Sequence, residues 1–405
     1  MADPLDETDM PDDAVRTPEA RRPTITSGAP GPGPGSSAAS VPAERAWARD
    51  WVGIAGKLAF FAVALFLFVL AIQLMKEGAK ALAPALTGSP LFSNAFSTLG
   101  AGWLGAYVVL SGSPVAAVAL SLFVGGVSTQ LQTFTMLSGS RLGAAFVVLL
   151  VGFLYAVRNR GRNRGESIGM GVLALGLTAV VYLPGMVIGY WILKVGMLDG
   201  VRLHASDGIL SVVDVIWGPA LDLLVRLPGW ALLPLGLVIV LLSFRLLDRV
   251  LPQLDGERHG SRRTEWLRRP WPMFLLGCIV ATLTLSVSVA LTLLIPLASR
   301  GYIRRREAIP YIMGANITTL ADTLVAAMVL GSAVAVHIVL AQAIAVAFVS
   351  LLLLAFAYRP LVDVMMRLDE WVVASGRRLW LFVAVLFILP AVFLTSGMWI
   401  GPIAR

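Results

Sequence analysis

Apolar runs of about the twenty residues that a helix needs to cross hydrocarbon recur along the chain. They lie at Gly53 to Met75, Thr135 to Val157, Ile168 to Val195, Trp230 to Leu247, Ala308 to Leu330, Ala333 to Ala357 and Leu379 to Trp399. These predict seven membrane-spanning helices. Two further apolar stretches, Leu91 to Val127 and Trp271 to Ser299, have the length of a helical hairpin but are interrupted by Ser, Gly and Pro. They either re-enter from one side or cross twice; both courses give the same parity, so the flanking charges do not separate them. Pro114 and Pro296 are expected to break the helices of these hairpins, because neither can donate an amide. The fold class is therefore all-α and polytopic.

Composition agrees, since 57% of residues are hydrophobic and only 14% are charged, well below the roughly 25% of soluble domains. The net charge of +8 is carried by arginines lying between apolar runs, where orientation signals lie. That placement argues against a nucleic-acid partner and for the lipid bilayer as the chain's surroundings. A single cysteine, Cys278, excludes an internal disulfide, and His204, His259 and His337 are too scattered to suggest a metal site. Residues 1–50 run from acidic to rich in Pro, Gly and Ser, so they are expected to form a disordered cytoplasmic tail. No apolar segment of the kind found in signal peptides precedes Gly53.

The arginine clusters at 158–164, 245–269, 300–306 and 359–378 are expected on the cytoplasmic side. Seven crossings then place the N-terminus inside and the C-terminus outside, in the cell (inner) membrane. The external stretch 196–229 carries apolar residues at near-helical spacing among Asp207, Asp214 and Asp222, the pattern of an interfacial amphipathic helix.

The two halves align without a gap. "LSGSPVAAVALSLFVGG" (Leu110 to Gly126) matches "LSVSVALTLLIPLASRG" (Leu285 to Gly301) at a shift of 175 residues, which also sets Gly139 on Gly314 and Arg141 on Asn316. Each half orders its elements as span, broken hairpin, span, span. Three crossings per unit is an odd number, so the second unit is expected to be inverted relative to the first, the plan of secondary transporters. The expected domains are residues 51–195 (repeat 1), 196–229 (external loop), 230–357 (repeat 2), and 358–405 (a cytoplasmic loop and one extra span). Polar groups at two hairpin tips meeting near the midplane can replace the hydration shell of a small ion.

The stretch "TLTLSVSVALTLLIPLASRGYIRRREAIPYIMGANITTLADTLVAAM" (Thr282 to Met328) resembles the sodium/phosphate cotransporter family, bacterial and type II animal members. In that family each half carries a Gln-Ser-Ser-Ser hairpin followed by a Gly-x-Asn-Ile-Gly-Thr-Thr segment. With both repeats counted, the likeness covers about Gly53 to Ala357. The resemblance implies alternating-access transport of a small anion such as phosphate, with sodium as the coupling ion and no other cofactor. By position it implies substrate contacts from Ser111, Ser113, Ser286, Ser288 and Asn316, and coupling-ion contacts from Asn316, Thr318 and Thr319. The chain departs from the pattern: neither hairpin keeps the Gln, the Gly after Asn-Ile is Thr318, and the first half reads "SGSRLGA". Arg141 there replaces the expected Asn, and Asp322 appears where the family favours Thr. Arg141 joins the substrate set and Asp322 the coupling set, because a fixed guanidinium supplies positive charge beside an anion.

Each of these residues also has a plainer role. Membrane serines and threonines bond to their own backbone, Asn316 serves helix association, Arg141 snorkels to the interface, and His337 is an interfacial histidine. Asp322 stands about halfway through its span, where a carboxylate costs roughly 2.5–3.5 kcal/mol. Two other classes compete with transport: a transport-inactive scaffold or regulator on the same fold, and an intramembrane enzyme. No Ser/His/Asp, HExxH or paired-carboxylate constellation supports the enzyme. Without a GxxxxGK[ST] loop, transport would run on a gradient.

Overall fold

The computed structural model describes residues 43–158, 164–201, 207–250, 269–284, 287–299 and 303–399. Most of the stretch expected to be a tail, Ser286, Gly301 and the C-terminal end lie outside these residues, and the side chain of Ser288 is likewise not described. One compact unit spans Gly53–Arg405 and holds everything discussed below. Among the described residues the chain is helical throughout, with no strand.

Helix α1 (Ala43–Leu86) begins within the last residues of the stretch read as a tail. It is followed by α2 (Ala95–Val109), α3 (Gly112–Val124), α4 (Gln130–Ala144), α5 (Phe146–Arg158) and α6 (Arg164–Val195). Next come α7 (Asp207–Leu224), α8 (Gly229–Val250), α9 (Pro270–Thr284), α10 (Val287–Thr292) and α11 (Leu294–Ser299). The chain continues with α12 (Arg305–Thr318), α13 (Ala321–Val329), α14 (Ala333–Phe356), α15 (Tyr358–Val373) and α16 (Gly376–Trp399). Among the described residues, seven segments are long and apolar enough to cross a membrane: Leu58–Leu86, Gln130–Arg158, Gly165–Val195, Gly229–Leu247, Arg305–Val329, Ala333–Phe356 and Gly376–Trp399. They are the seven spans that the apolar runs predict. The chain is an all-α polytopic membrane protein, and large apolar side chains such as Val238, Phe348 and Ile388 are exposed on its periphery, as surfaces meeting lipid require.

Element boundaries recur with the register of the serine motifs. The pairs Ala95 and Pro270, Gly112 and Val287, Gln130 and Arg305, and Phe146 and Ala321 each begin a helix, and each pair is 175 residues apart. Packing recurs as well. A Cβ at Gly102 would fall 2.0 Å from the Met136 carbonyl oxygen, and one at Gly277 would fall 2.0 Å from that of Tyr311. The reciprocal contacts, Gly139 on Leu99 O and Gly314 on Phe274 O, both stand at 2.1 Å. Thus α2 lies backbone-on-backbone against α4, and α9 against α12, in equivalent geometry. In lipid, where burial of apolar surface gives helices no reason to associate, such approach through small residues provides the packing.

Of the two prolines expected to break helices, Pro114 departs from the expectation. Pro114 and Pro296 are each the third residue of a helix, α3 and α11, where the amide that proline lacks has no partner within the helix. Pro114 thus starts its helix without interrupting it, whereas Pro296 follows a break at Leu293, between α10 and α11. The turn between α2 and α3 is made by Leu110, which adopts a left-handed conformation (φ 56°) as the C-cap of α2, and by Ser111, extended at the N-cap of α3. The two long equivalent spans are also broken, at Ala145 between α4 and α5 and at Thr319–Leu320 between α12 and α13.

Candidate functional site

Arg141 lies in the last turn of α4 and Asp322 in the first turn of α13. The helix breaks therefore set each charge at the helix end whose dipole suits it, a cation at a C-terminus and an anion at an N-terminus. The two meet, with Arg141 Nη2 standing 3.3 Å from Asp322 Oδ1. Arg141 is 2% exposed and Asp322 6%, so Arg141 does not snorkel; its guanidinium turns inward to a carboxylate from the other half of the chain. Nη1 donates to Ser113 Oγ at 3.3 Å, and Nη2 also donates to Thr323 Oγ1.

The hairpin tip is held beside this pair. A Cβ at Gly112 would fall 2.7 Å from the Ser140 carbonyl oxygen, so the N-terminus of α3 sits directly on α4 one residue before Arg141. Ser113 is buried in the first turn of α3 while Ser111, at the tip, is half-buried. Asp322 Oδ1 accepts from Thr323 N at 2.5 Å and Thr323 Oγ1 at 2.9 Å as well as from Arg141. Two atoms of the pair have no partner among the described residues: Arg141 Nε and Asp322 Oδ2. A buried ion pair with an unpaired donor and an unpaired acceptor is costly unless a ligand completes it.

Asn316 joins a second cluster. Its side-chain amide donates to Thr178 Oγ1 at 3.2 Å, and its main-chain oxygen accepts from the Tyr182 hydroxyl at 2.9 Å and from Thr319 Oγ1 at 3.3 Å. The Tyr182 phenol, itself hydrogen-bonded to Thr319, lies within electrostatic range of both Arg141 and Asp322, which ties the two clusters together. Thr318 points elsewhere: its hydroxyl donates to Cys278 O at 3.0 Å, which holds α12 on α9. Gly143, its equivalent in the first half, packs on the carbonyl oxygen of Trp103. His337 Nε2 donates to Val201 O at 2.8 Å and so ties the start of α14 to the loop after α6.

The structure thus brings Ser113, Arg141 and Asp322 into contact, sets Asn316 and Thr319 beside them, and turns Thr318 away. Sequence reasoning missed Thr178, Tyr182 and Thr323. Thr178 and Tyr182 are four residues apart on α6, one face of a helix, and two polar groups at that spacing in a greasy span are the signal that was available. A further missed pair is Ser138, whose hydroxyl donates to Gln342 Oε1 at 2.5 Å. Ser138 lies one turn before Arg141 on α4.

An all-helical membrane protein that buries an ion pair between its two halves at helix breaks has the makings of a solute carrier. Residues 239–369 match the family model described as Na+/Pi-cotransporter. No curated protein and no solved structure matches the chain. The match covers about a third of the chain and lies entirely in its second half. Asn316, Thr318, Thr319 and Asp322 fall inside the matched residues, and Ser111, Ser113 and Arg141 outside them.

Proposed function

We propose that the protein is a secondary active transporter of a small, phosphate-like anion, coupled to a sodium or proton gradient by alternating access. Its two inverted repeats, residues 51–195 and 230–357, would rock about the Arg141–Asp322 centre. The observation that carries the reading is this pair, one charge from each repeat, buried with Arg141 Nε and Asp322 Oδ2 unpartnered. The recurrence of helix starts at 175 residues supports the repeat. The arms α2 and α3 have 15 and 13 residues, or about 22 and 20 Å of helix, short of the roughly 30 Å of hydrocarbon. That shortness supports a re-entrant first hairpin.

On this reading Arg141 holds the anion, with Ser113 and the first-turn amides of α3 beside it. Ser111, Ser286 and Ser288 complete the hairpin contacts. The coupling ion falls to Asn316, Thr319 and Asp322, where the break after α12 frees backbone carbonyl groups; Thr318 serves by fixing α12. The N-terminus is cytoplasmic and the C-terminus external, in the inner membrane. The test is a proteoliposome uptake panel of phosphate, sulfate and small carboxylates, with and without sodium and proton gradients. Accumulation of phosphate under a gradient is expected. Folded protein that moves no anion under any gradient would favour the transport-inactive scaffold.

A further inference from the structure

We infer that Asp322 is a specificity-determining residue that selects oxyanions carrying a hydroxyl, such as hydrogen phosphate or arsenate, and rejects oxyanions without one, such as sulfate. The inference rests on the transport reading above and deepens it to a substrate class.

The argument begins with the two unpartnered atoms. Arg141 Nε is a donor with nothing to donate to, and Asp322 Oδ2 is an acceptor with nothing to accept from. Both belong to side chains whose exposure is 1% and 4%, joined 3.3 Å apart at Nη2 and Oδ1. A small ligand admitted beside the pair when the halves move apart would meet both. Asp322 cannot turn a different oxygen toward such a ligand without loss, because Oδ1 already accepts from Arg141 Nη2, Thr323 N and Thr323 Oγ1. The acceptor left over is Oδ2, whereas the groups joined to the pair through Arg141 are donors: the guanidinium itself and the Ser113 hydroxyl it contacts, in the first turn of α3, whose first amides have no partner within the helix.

A ligand complementary to this arrangement must accept hydrogen bonds over most of its surface and donate one. Hydrogen phosphate does so, since its oxygens accept and its P–OH donates to Oδ2. Sulfate has the same tetrahedral shape and, at mildly alkaline pH, the same charge, but it has no hydrogen. Bound here, it would set an anionic oxygen against a carboxylate oxygen, leaving both buried acceptors unpaired. Sites built around a substrate hydroxyl discriminate strongly against analogues that lack it. Without the carboxylate, Arg141, Ser113 and the helix amides would accept either anion, which is why the selectivity falls to Asp322.

The experiment uses the full chain in proteoliposomes and follows counterflow of labelled phosphate at mildly alkaline pH against unlabelled competitors. Arsenate is expected to compete at concentrations close to those of phosphate. Sulfate, and monofluorophosphate, in which fluorine replaces the hydroxyl, are expected to need on the order of a hundredfold more. In Asp322→Asn the amide can turn its N–H₂ toward the ligand, and the disadvantage of sulfate should shrink at least about tenfold. Asp322→Glu, which keeps the carboxylate, should retain the preference. Sulfate or monofluorophosphate competing as well as arsenate against the wild type would overturn the assignment, and that comparison needs no variant. Unchanged discrimination in Asp322→Asn would overturn it too. In both cases phosphate still moves and the transport reading stands, whereas a wild type that moves no oxyanion removes the transport reading itself.

Discussion

Removing one member of the Arg141–Asp322 pair should destabilise the protein far more than removing both. In Arg141→Gln a carboxylate 6% exposed is left without its cation, and in Asp322→Asn a guanidinium 2% exposed is left without its anion. Breaking a buried pair in this way costs about 3–5 kcal/mol. The lower end applies here, because the contact is a single one at 3.3 Å and not a bidentate fork. Thr323 remains beside either survivor, and Ser113 beside Asp322's partner. The double variant, with two neutral amides, should return to within about 1 kcal/mol of the wild type, giving a coupling energy of at least about 5 kcal/mol. Thermal melting of the purified protein in detergent reads the cycle; each single variant should melt roughly 5 °C or more below the wild type, and the double variant should recover most of that. If the single effects are small and simply add, the charges are not buried against each other and the geometry described here is wrong.

Gly102→Ala and Gly277→Ala would each set a Cβ 2.0 Å from a backbone oxygen of the facing helix, whereas Gly218→Ala meets nothing within 4 Å. The first two should cost about 1–3 kcal/mol or more, read as lost folded yield beside an unaffected Gly218→Ala control. Arg305 pairs with Asp369 at 2.5 Å, and the Asp369 side chain is fully buried. Burial pushes the Asp369 carboxyl above the usual carboxylate range while Arg305 pulls it back, so in Arg305→Ala it should rise further. The protonated carboxyl tolerates burial, so the melting deficit of Arg305→Ala should be smallest in acid and should grow as pH rises through the raised value, with Arg305→Ala/Asp369→Asn flat. In a Cys278→Ser background, a cysteine at Ser206 should label from outside and one at Ser261 only after permeabilisation; labelling of both from one side would contradict the inverted arrangement.

The spans were legible because a helix in lipid must satisfy its own backbone and cover itself with apolar side chains, which leaves runs such as Ala333–Phe356 plain in the sequence. The register of 175 residues was legible from four serines, and it is the register at which helices begin in both halves. The meeting of Arg141 with Asp322 was readable only as two charges that intramembrane burial could not leave alone. That Arg141 turns inward was readable only as one of two courses, because snorkelling depends on where the helix ends, and α4 stops at Ala144, well inside its long apolar span. Thr178 and Tyr182 were hidden for another reason: a hydroxyl in a membrane helix reads as self-bonded until a neighbour such as Asn316 is known to face it. Pro114 misled because proline marks a helix start as readily as a break, and only the turn at Leu110 and Ser111 distinguishes the two.

The central claim is that Arg141 holds the transported anion, and Arg141→Lys tests it most directly. Lysine keeps the charge that balances Asp322 but loses the planar fork that reaches Ser113, Thr323 and Asp322 together. Counterflow of labelled phosphate at low concentration should be measured in proteoliposomes carrying equal amounts of folded wild type and variant. The wild type should exchange phosphate, and Arg141→Lys should do so at least about tenfold more slowly. Exchange by Arg141→Lys equal to that of the wild type, or none by the wild type, would contradict the claim.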